Sequence, residues 1–135
     1  MNVFFYGLFM DEALLARKGV FPSNTATGHV DGFALHIGAR ATLLHSAGAR
    51  AYGIVMTVDP EEAKALYTES SVADYSPEPV TVELSNGSKV EAACYNLPAN
   101  KITGTNKDYA ESLAKLATKI GFPDAYVDQI RRASS

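Results

Sequence analysis

One cysteine is all that this chain of 135 residues holds. Cys94 therefore has no partner for an internal disulfide, and with no Cys pair at CxxC spacing the usual zinc and redox signatures are missing. That pattern leads us to expect a reducing, cytoplasmic setting. Clustered Lys and Arg are missing as well. With 12 basic and 15 acidic residues the formal net charge is -3, which gives no electrostatic reason to bind nucleic acid or an anionic membrane. No window reaches the roughly 18 to 20 continuous apolar residues that a spanning helix needs. Residues 1–15 are apolar but carry no positive charge at their start and are broken by Gly7, Asp11 and Glu12, so they read as a first strand rather than a secretion signal. Absent too are a GxGxxG after a strand, a Walker loop, an HExxH and a GxSxG. Small-molecule chemistry built from carboxylates and backbone groups is what these gaps leave. A composition 47% hydrophobic and 20% charged fits one globular domain over residues 1–135, with a monomer as the default.

The chain opens with β-branched and aromatic residues from Val3 to Tyr6, which suit a strand. Asp11 to Lys18 has acidic residues first and basic residues last, the order that favours a short helix through its dipole, and Gly19 closes it. FPSNTATG (21–28) reads as a loop. His29 to Ile37, Ala41 to His45 and Ala51 to Val58 read as three strands of a meander, separated by turns at GAR (38–40) and SAGAR (46–50). Asp59 before Pro60, Glu61 and Glu62 is an N-cap followed by proline and an acidic first turn, predicting a helix over 60–68. SSVADYSPEP (70–79) reads as irregular. Val80 to Leu84 and Lys89 to Leu97 flank Asn86-Gly87, a hairpin signal. A helix over 107–120 carries Tyr109, Leu113, Leu116 and Ile120 on one stripe and stops at Gly121. The last helix starts at Pro123 with Tyr126, Val127 and Ile130 inward. Strands early and helices late make an α+β domain whose mostly antiparallel sheet is curved or closed into a small barrel.

Three histidines, His29, His36 and His45, lie on or beside strands with no spacing that pairs two of them on one metal, and Cys94 sits mid-strand as a structural thiol. Glu69, Asp74 and Glu78 fall in or beside the irregular segment after the central helix, where a rigid scaffold often holds functional side chains. The second candidate is the junction at Tyr6-Gly7. A strand that passes through a glycine into a helix start offers backbone N–H groups to an anion, and the glycine permits close approach or a positive φ.

These two places carry a resemblance. FFYGLFM (Phe4 to Met10) is similar to the aromatic-Tyr-Gly-Ser/Thr-Leu/Asn-hydrophobic opening of the γ-glutamylcyclotransferase-like proteins, which include the AIG2-like sequences. AYGIVMTV (51–58) resembles their central strand before an acidic helix. Leu66-Tyr67-Thr68-Glu69, followed by Tyr75 and Pro79-Val80-Thr81-Val82, stands where the family has Leu-Asp-x-x-Glu-Gly, a Tyr and a strand. KDYAESLAKLATKIGFPDAYVDQI is similar to the tail of some members. The resemblance implies a small mixed β-barrel or curved sheet with flanking helices, and an intramolecular reaction. In that reaction the α-amine of a γ-glutamyl compound attacks its own γ-carbonyl, closing 5-oxoproline and releasing an amine or amino acid. The implied roles are Glu69 as general base and acid, and Tyr6, Gly7, Leu8, Phe9 and Tyr75 as substrate contacts, with N–H groups of Gly7, Leu8 and Phe9 on the α-carboxylate or the oxyanion. No metal or cofactor is implied, because nucleophile and electrophile share one molecule. The leaving-group contacts would lie in 23–27, 39–49 and 70–77. In the family's common pattern the acid follows the leucine by four positions, whereas Glu69 follows Leu66 by three, and Leu8 stands where a small hydroxyl residue is usual. Asp74 or Glu78 in the acid role, and a non-catalytic binding domain of the same fold, are the alternatives.

Overall fold

A computed structural model describes residues 1–69 and 71–133. Ser70, at the head of the 70–77 segment expected to meet a leaving group, lies outside the described residues. Five strands close into a barrel: β1 (Asn2–Phe5), β2 (Ser23–Ile37), β3 (Ala41–Thr57), β4 (Ser76–Leu84) and β5 (Lys89–Asn96), in the order β1-β3-β2-β4-β5. All neighbours run antiparallel except β1 and β5, which close the barrel in parallel with Val3 opposite Ala93. Helices α1 (Glu12–Arg17), α2 (Pro60–Leu66), α3 (Lys107–Ile120) and α4 (Asp124–Arg132) flank it. The expected α+β barrel with helices around it is the observed architecture. Among the described residues no helix is long and apolar enough to cross a membrane.

Three expectations change. The 21–28 loop is largely strand, because Ser23, Ala26 and Thr27 pair through their backbones with Thr57, Val55 and Ile54 of β3. Polar side chains are tolerated there since they face outward, and backbone hydrogen bonding does not consult them. The 46–50 segment is no turn. It lies inside a continuous β3, and the register jumps so that Arg50 faces Asp31 and His45 faces Phe33, with Gly32 alone across from four residues. Gly32 and Gly48 both have positive φ, 84° and 82°, which lets the two strands kink together rather than part. The expected meander is therefore one long, bulged hairpin. Finally, β4 begins at Ser76, inside the segment expected to be irregular. Pro77 and Pro79 pair with Tyr95 and Ala93 on one side, while β2 reaches only Glu83 and Leu84 on the other. Prolines fit a strand where its other edge is open.

The helices keep close to their expected limits. Asp11 and Asp59 cap α1 and α2 by accepting from Ala13 N and Glu61 N. Asn106 caps α3 by accepting from Tyr109 N at 2.9 Å, and Gly121 ends it at φ 100°. The α3–α4 corner packs on β3 through aromatic rings: Tyr52 lies 4.9 Å from Tyr126 and 5.7 Å from Phe122, centroid to centroid. Ala110, Leu113, Ala114 and Ala117 are the buried positions of α3, a face whose small side chains allow close packing. This face fixes Tyr109, one turn from the cap, against the end of β1.

Candidate functional site

The site begins where β1 ends. Tyr6 is 7% exposed, and its hydroxyl donates to the Tyr95 carbonyl of β5 at 2.6 Å. Gly7 follows, then a single 3-10 turn from Leu8 to Met10, and Asp11 at once caps α1. The apolar residues after the glycine are thus a tight turn of their own. Gly7 has φ -113°, an extended value open to any residue, so positive φ is not its purpose. A Cβ at this position would fall on Tyr109 Oη. The close approach comes from α3, and it is functional for the turn: the Leu8 N–H donates to Tyr109 Oη at 3.2 Å. One of the three N–H groups expected to hold an anion is therefore already engaged.

Tyr6, Gly7, Leu8 and Phe9 line a cavity of about 240 Å³ together with Tyr75 and with Arg40, Tyr67, Tyr95 and Tyr109. Tyr67 and Tyr95 stack face to face at 3.8 Å and 7°, and Phe9 meets Tyr67 edge-on at 6.1 Å. Tyr75 donates its hydroxyl to the Ala41 carbonyl. Burial pushes the phenols of Tyr6, Tyr67, Tyr75, Tyr95 and Tyr109 up from their ordinary value. They stay protonated at neutral pH and give the cavity an aromatic wall with hydroxyl edges.

The carboxylates lie elsewhere. Glu69 is not among the lining residues; its Oε2 is 2.8 Å from Lys18 Nζ and its side chain is 39% exposed. It nevertheless stands between Tyr67 and Ser71, both of which line the cavity. Asp74 pairs with Arg40 Nη2 at 3.3 Å. Glu78 bridges His45, at 2.9 Å, and Asn96, whose Nδ2 donates to it at 2.7 Å. Among the described residues no carboxylate lines the cavity, and Arg40 is its one charged side chain.

Cys94 is fully buried, its thiol pushed up to about 12 chiefly by that burial, which makes it a poor nucleophile. His29 and His45 approach Glu83 and Glu78 on separate strands, and among the described residues no group of three His, Cys, Asp or Glu is placed to hold a metal. Tyr67, Tyr95 and Tyr109 line the cavity without having been singled out as substrate contacts, whereas Arg40 falls in the 39–49 segment expected to meet the leaving group. Arg40 sits in the expected 38–40 turn, and the alternation of β5 gave a signal for Tyr95 only with the register in hand.

Comparison with known proteins adds the following. The model of the AIG2-like family matches residues 50–130. No curated protein matches the chain. A solved γ-glutamyl cyclotransferase is 16% identical with a TM-score of 0.77, covering 100% of this chain and 88% of that one. An uncharacterized protein from Homo sapiens is 18% identical with a TM-score of 0.78, covering 99% and 87%. A γ-glutamyl cyclotransferase specific to glutathione, from yeast, is 13% identical with a TM-score of 0.66, covering 99% and 95%. At these identities the likeness is one of fold.

Proposed function

The chain belongs to the AIG2-like family, and from that membership and its cavity we propose that it is a γ-glutamyl cyclotransferase-type enzyme acting on a small γ-glutamyl compound. The observation that carries the reading is that the Tyr6–Phe9 turn and Tyr75 share one aromatic cavity of about 240 Å³ whose only charge among the described residues is positive. Such a pocket suits a small anionic ligand with little room for solvent. Cytoplasmic residence and independence of metal or cofactor belong to the same reading.

The chemistry requires an amine, an acceptor for its proton and donors for an oxyanion. The substrate's α-ammonium is protonated at neutral pH and must lose a proton before it attacks. Glu69 already holds an ammonium group, that of Lys18, at 2.8 Å. The two side chains are 30% and 39% exposed, so water already competes for the pair and exchanging Lys18 for the substrate's ammonium costs little. Glu69 then takes one proton, and the freed nitrogen attacks the γ-carbonyl carbon. The resulting oxyanion is met by the N–H groups of Gly7 and Phe9. As the tetrahedral centre collapses, Glu69 returns the proton to the departing nitrogen, whose bond to carbon breaks, and the ring nitrogen gives up its second proton, which the released amine carries away as its ammonium. The products are 5-oxoproline and an amine or amino acid. Holding both reacting atoms in one molecule leaves the protein mainly to orient them.

The test is a panel of γ-glutamyl amino acids and amines, followed for 5-oxoproline, with Glu69→Gln beside the wild type. We expect the substitution to lower kcat by about a hundredfold or more. Turnover that survives it removes Glu69 from the role. A second reading, a binding domain without turnover, is favoured by the absence of a carboxylate from the described lining. Saturable binding with no 5-oxoproline from any substrate decides for it, and no binding at all removes both.

A further inference from the structure

Arg40 is held in a way that the fold alone does not require. It stands on the turn between β2 and β3, whose backbone is fixed by bonds from Ala39 N to Thr103 O at 2.6 Å and from Asn106 Nδ2 to Ala39 O at 3.2 Å. The guanidinium is less well satisfied. Nη1 donates to Ser71 O at 3.2 Å, Nη2 meets a single oxygen of Asp74 at 3.3 Å, and the group lies 5.8 Å from the Tyr75 ring centre. Charge-assisted bonds of this type are ordinarily about 2.7 to 2.9 Å, and a planar guanidinium is best met by both oxygens of a carboxylate. The Asp74 carboxylate is 43% exposed, so water competes for it. Its hold on Arg40 is weak enough to be exchanged.

We infer that Arg40 is the specificity-determining residue of the cavity: it takes a carboxylate on the leaving-group end of the ligand, and Asp74 is the partner that this carboxylate displaces. The inference rests on the reading of the cavity as a γ-glutamyl site and deepens it. The reacting γ-carbonyl faces the Tyr6–Phe9 turn, beside Tyr6 at 7% exposure, where solvent is kept from it. Arg40, with its side chain 30% exposed, stands at the wetter edge, where a leaving group extends toward solvent. A γ-glutamyl amino acid presents an anion there. A γ-glutamyl derivative of a diamine presents a cation, which Arg40, the only charged residue among the described lining, repels. The choice between amino acid and amine is thereby assigned to one side chain.

The experiment is an NMR titration, which reads bound ligand and any product in one sample. Three ligands are compared: a γ-glutamyl amino acid, the same compound with its leaving-end carboxyl as carboxamide, and the same compound with its glutamyl α-carboxyl as carboxamide. The proteins are wild type, Arg40→Gln, Arg40→Lys and Asp74→Asn. For wild type we expect the leaving-end carboxamide to bind about tenfold to a hundredfold more weakly than the diacid. Arg40→Gln abolishes that preference while binding the carboxamide as well as wild type does. Arg40→Lys retains part of it, and Asp74→Asn tightens diacid binding by about two- to fivefold. A preference that survives Arg40→Gln overturns the inference. So does an equal loss for both ligands, the mark of a structural strap, or an Arg40-dependent preference that follows the α-carboxamide instead. Binding indifferent to Arg40 removes this inference and leaves the cyclotransferase reading standing, whereas a wild type that binds none of the panel removes both.

Discussion

Gly7 and Tyr109 are 102 positions apart and act as one feature. The glycine has no side chain because the phenol occupies its place, and the phenol is held there by the N–H of the next residue, Leu8, at 3.2 Å. Two substitutions separate the parts. Tyr109→Phe leaves a partly buried N–H without its acceptor, a loss of about 1 to 2 kcal/mol. Gly7→Ala puts a methyl on the hydroxyl and costs about 1 to 3 kcal/mol by overpacking. The ring carbon behind the hydroxyl is 3.8 Å from that methyl, ordinary van der Waals contact. Gly7→Ala should therefore be much milder in the Tyr109→Phe background. Urea midpoints of the four proteins check this, and losses that add within about 0.5 kcal/mol refute the coupling.

Helix α3 carries that phenol to the site, and its first residues also reach the Arg40 turn. Asn106 accepts from Tyr109 N at 2.9 Å as the helix cap and donates from Nδ2 to Ala39 O at 3.2 Å. Asn106→Ala loses both and should cost about 1 to 2 kcal/mol. Asn106→Asp keeps the cap, gains from the helix dipole and loses the tie to the turn. Thermal melts should thus rank wild type and Asn106→Asp close together, with Asn106→Ala clearly below; an equal drop in both variants contradicts the capping role. Neither tie was legible from the sequence, which marks the 107–120 helix and the 38–40 turn separately but says nothing of their meeting. The same limit explains the sheet. Pattern and propensity located the strand cores, yet Ser23–Thr27, the 46–50 segment and the two prolines of β4 are strand only because a distant partner lies beside them. At the site, Tyr6–Phe9 and Tyr75 could be singled out by motif. Arg40 on the β2–β3 turn, Tyr67 at the end of α2 and Tyr95 on β5 converge on them through tertiary packing, which no local window contains.

The whole molecule carries its tyrosines in a state that makes alkaline pH its weak side. Six of the seven have pKa values raised, in each case first by burial. In the unfolded chain a phenol ionises near pH ~10. A folded-state value above the unfolded one means that the stability is intact below about pH 10 and is lost as pH rises, since only the unfolded state can release the proton. Each phenol that stays neutral costs about 1.4 kcal/mol per pH unit in that range. For the three raised furthest among the deeply buried, Tyr6, Tyr67 and Tyr126, the slope approaches about 4 kcal/mol per unit, a large share of the ordinary stability of about 5 to 15 kcal/mol for a whole domain. We expect unfolding within about one to three units above pH 10, with phenolate absorbance and loss of secondary structure rising together. A melting temperature that stays level from pH 9 to about 11.5, or phenolates that form well before the fold is lost, contradicts this account. Tyr6, Tyr67 and Tyr109 also wall the cavity, so a ligand that fills it binds only the neutral, folded form. Adding a γ-glutamyl ligand should then move the alkaline transition to higher pH by mass action, and the size of that move gives its affinity without any turnover.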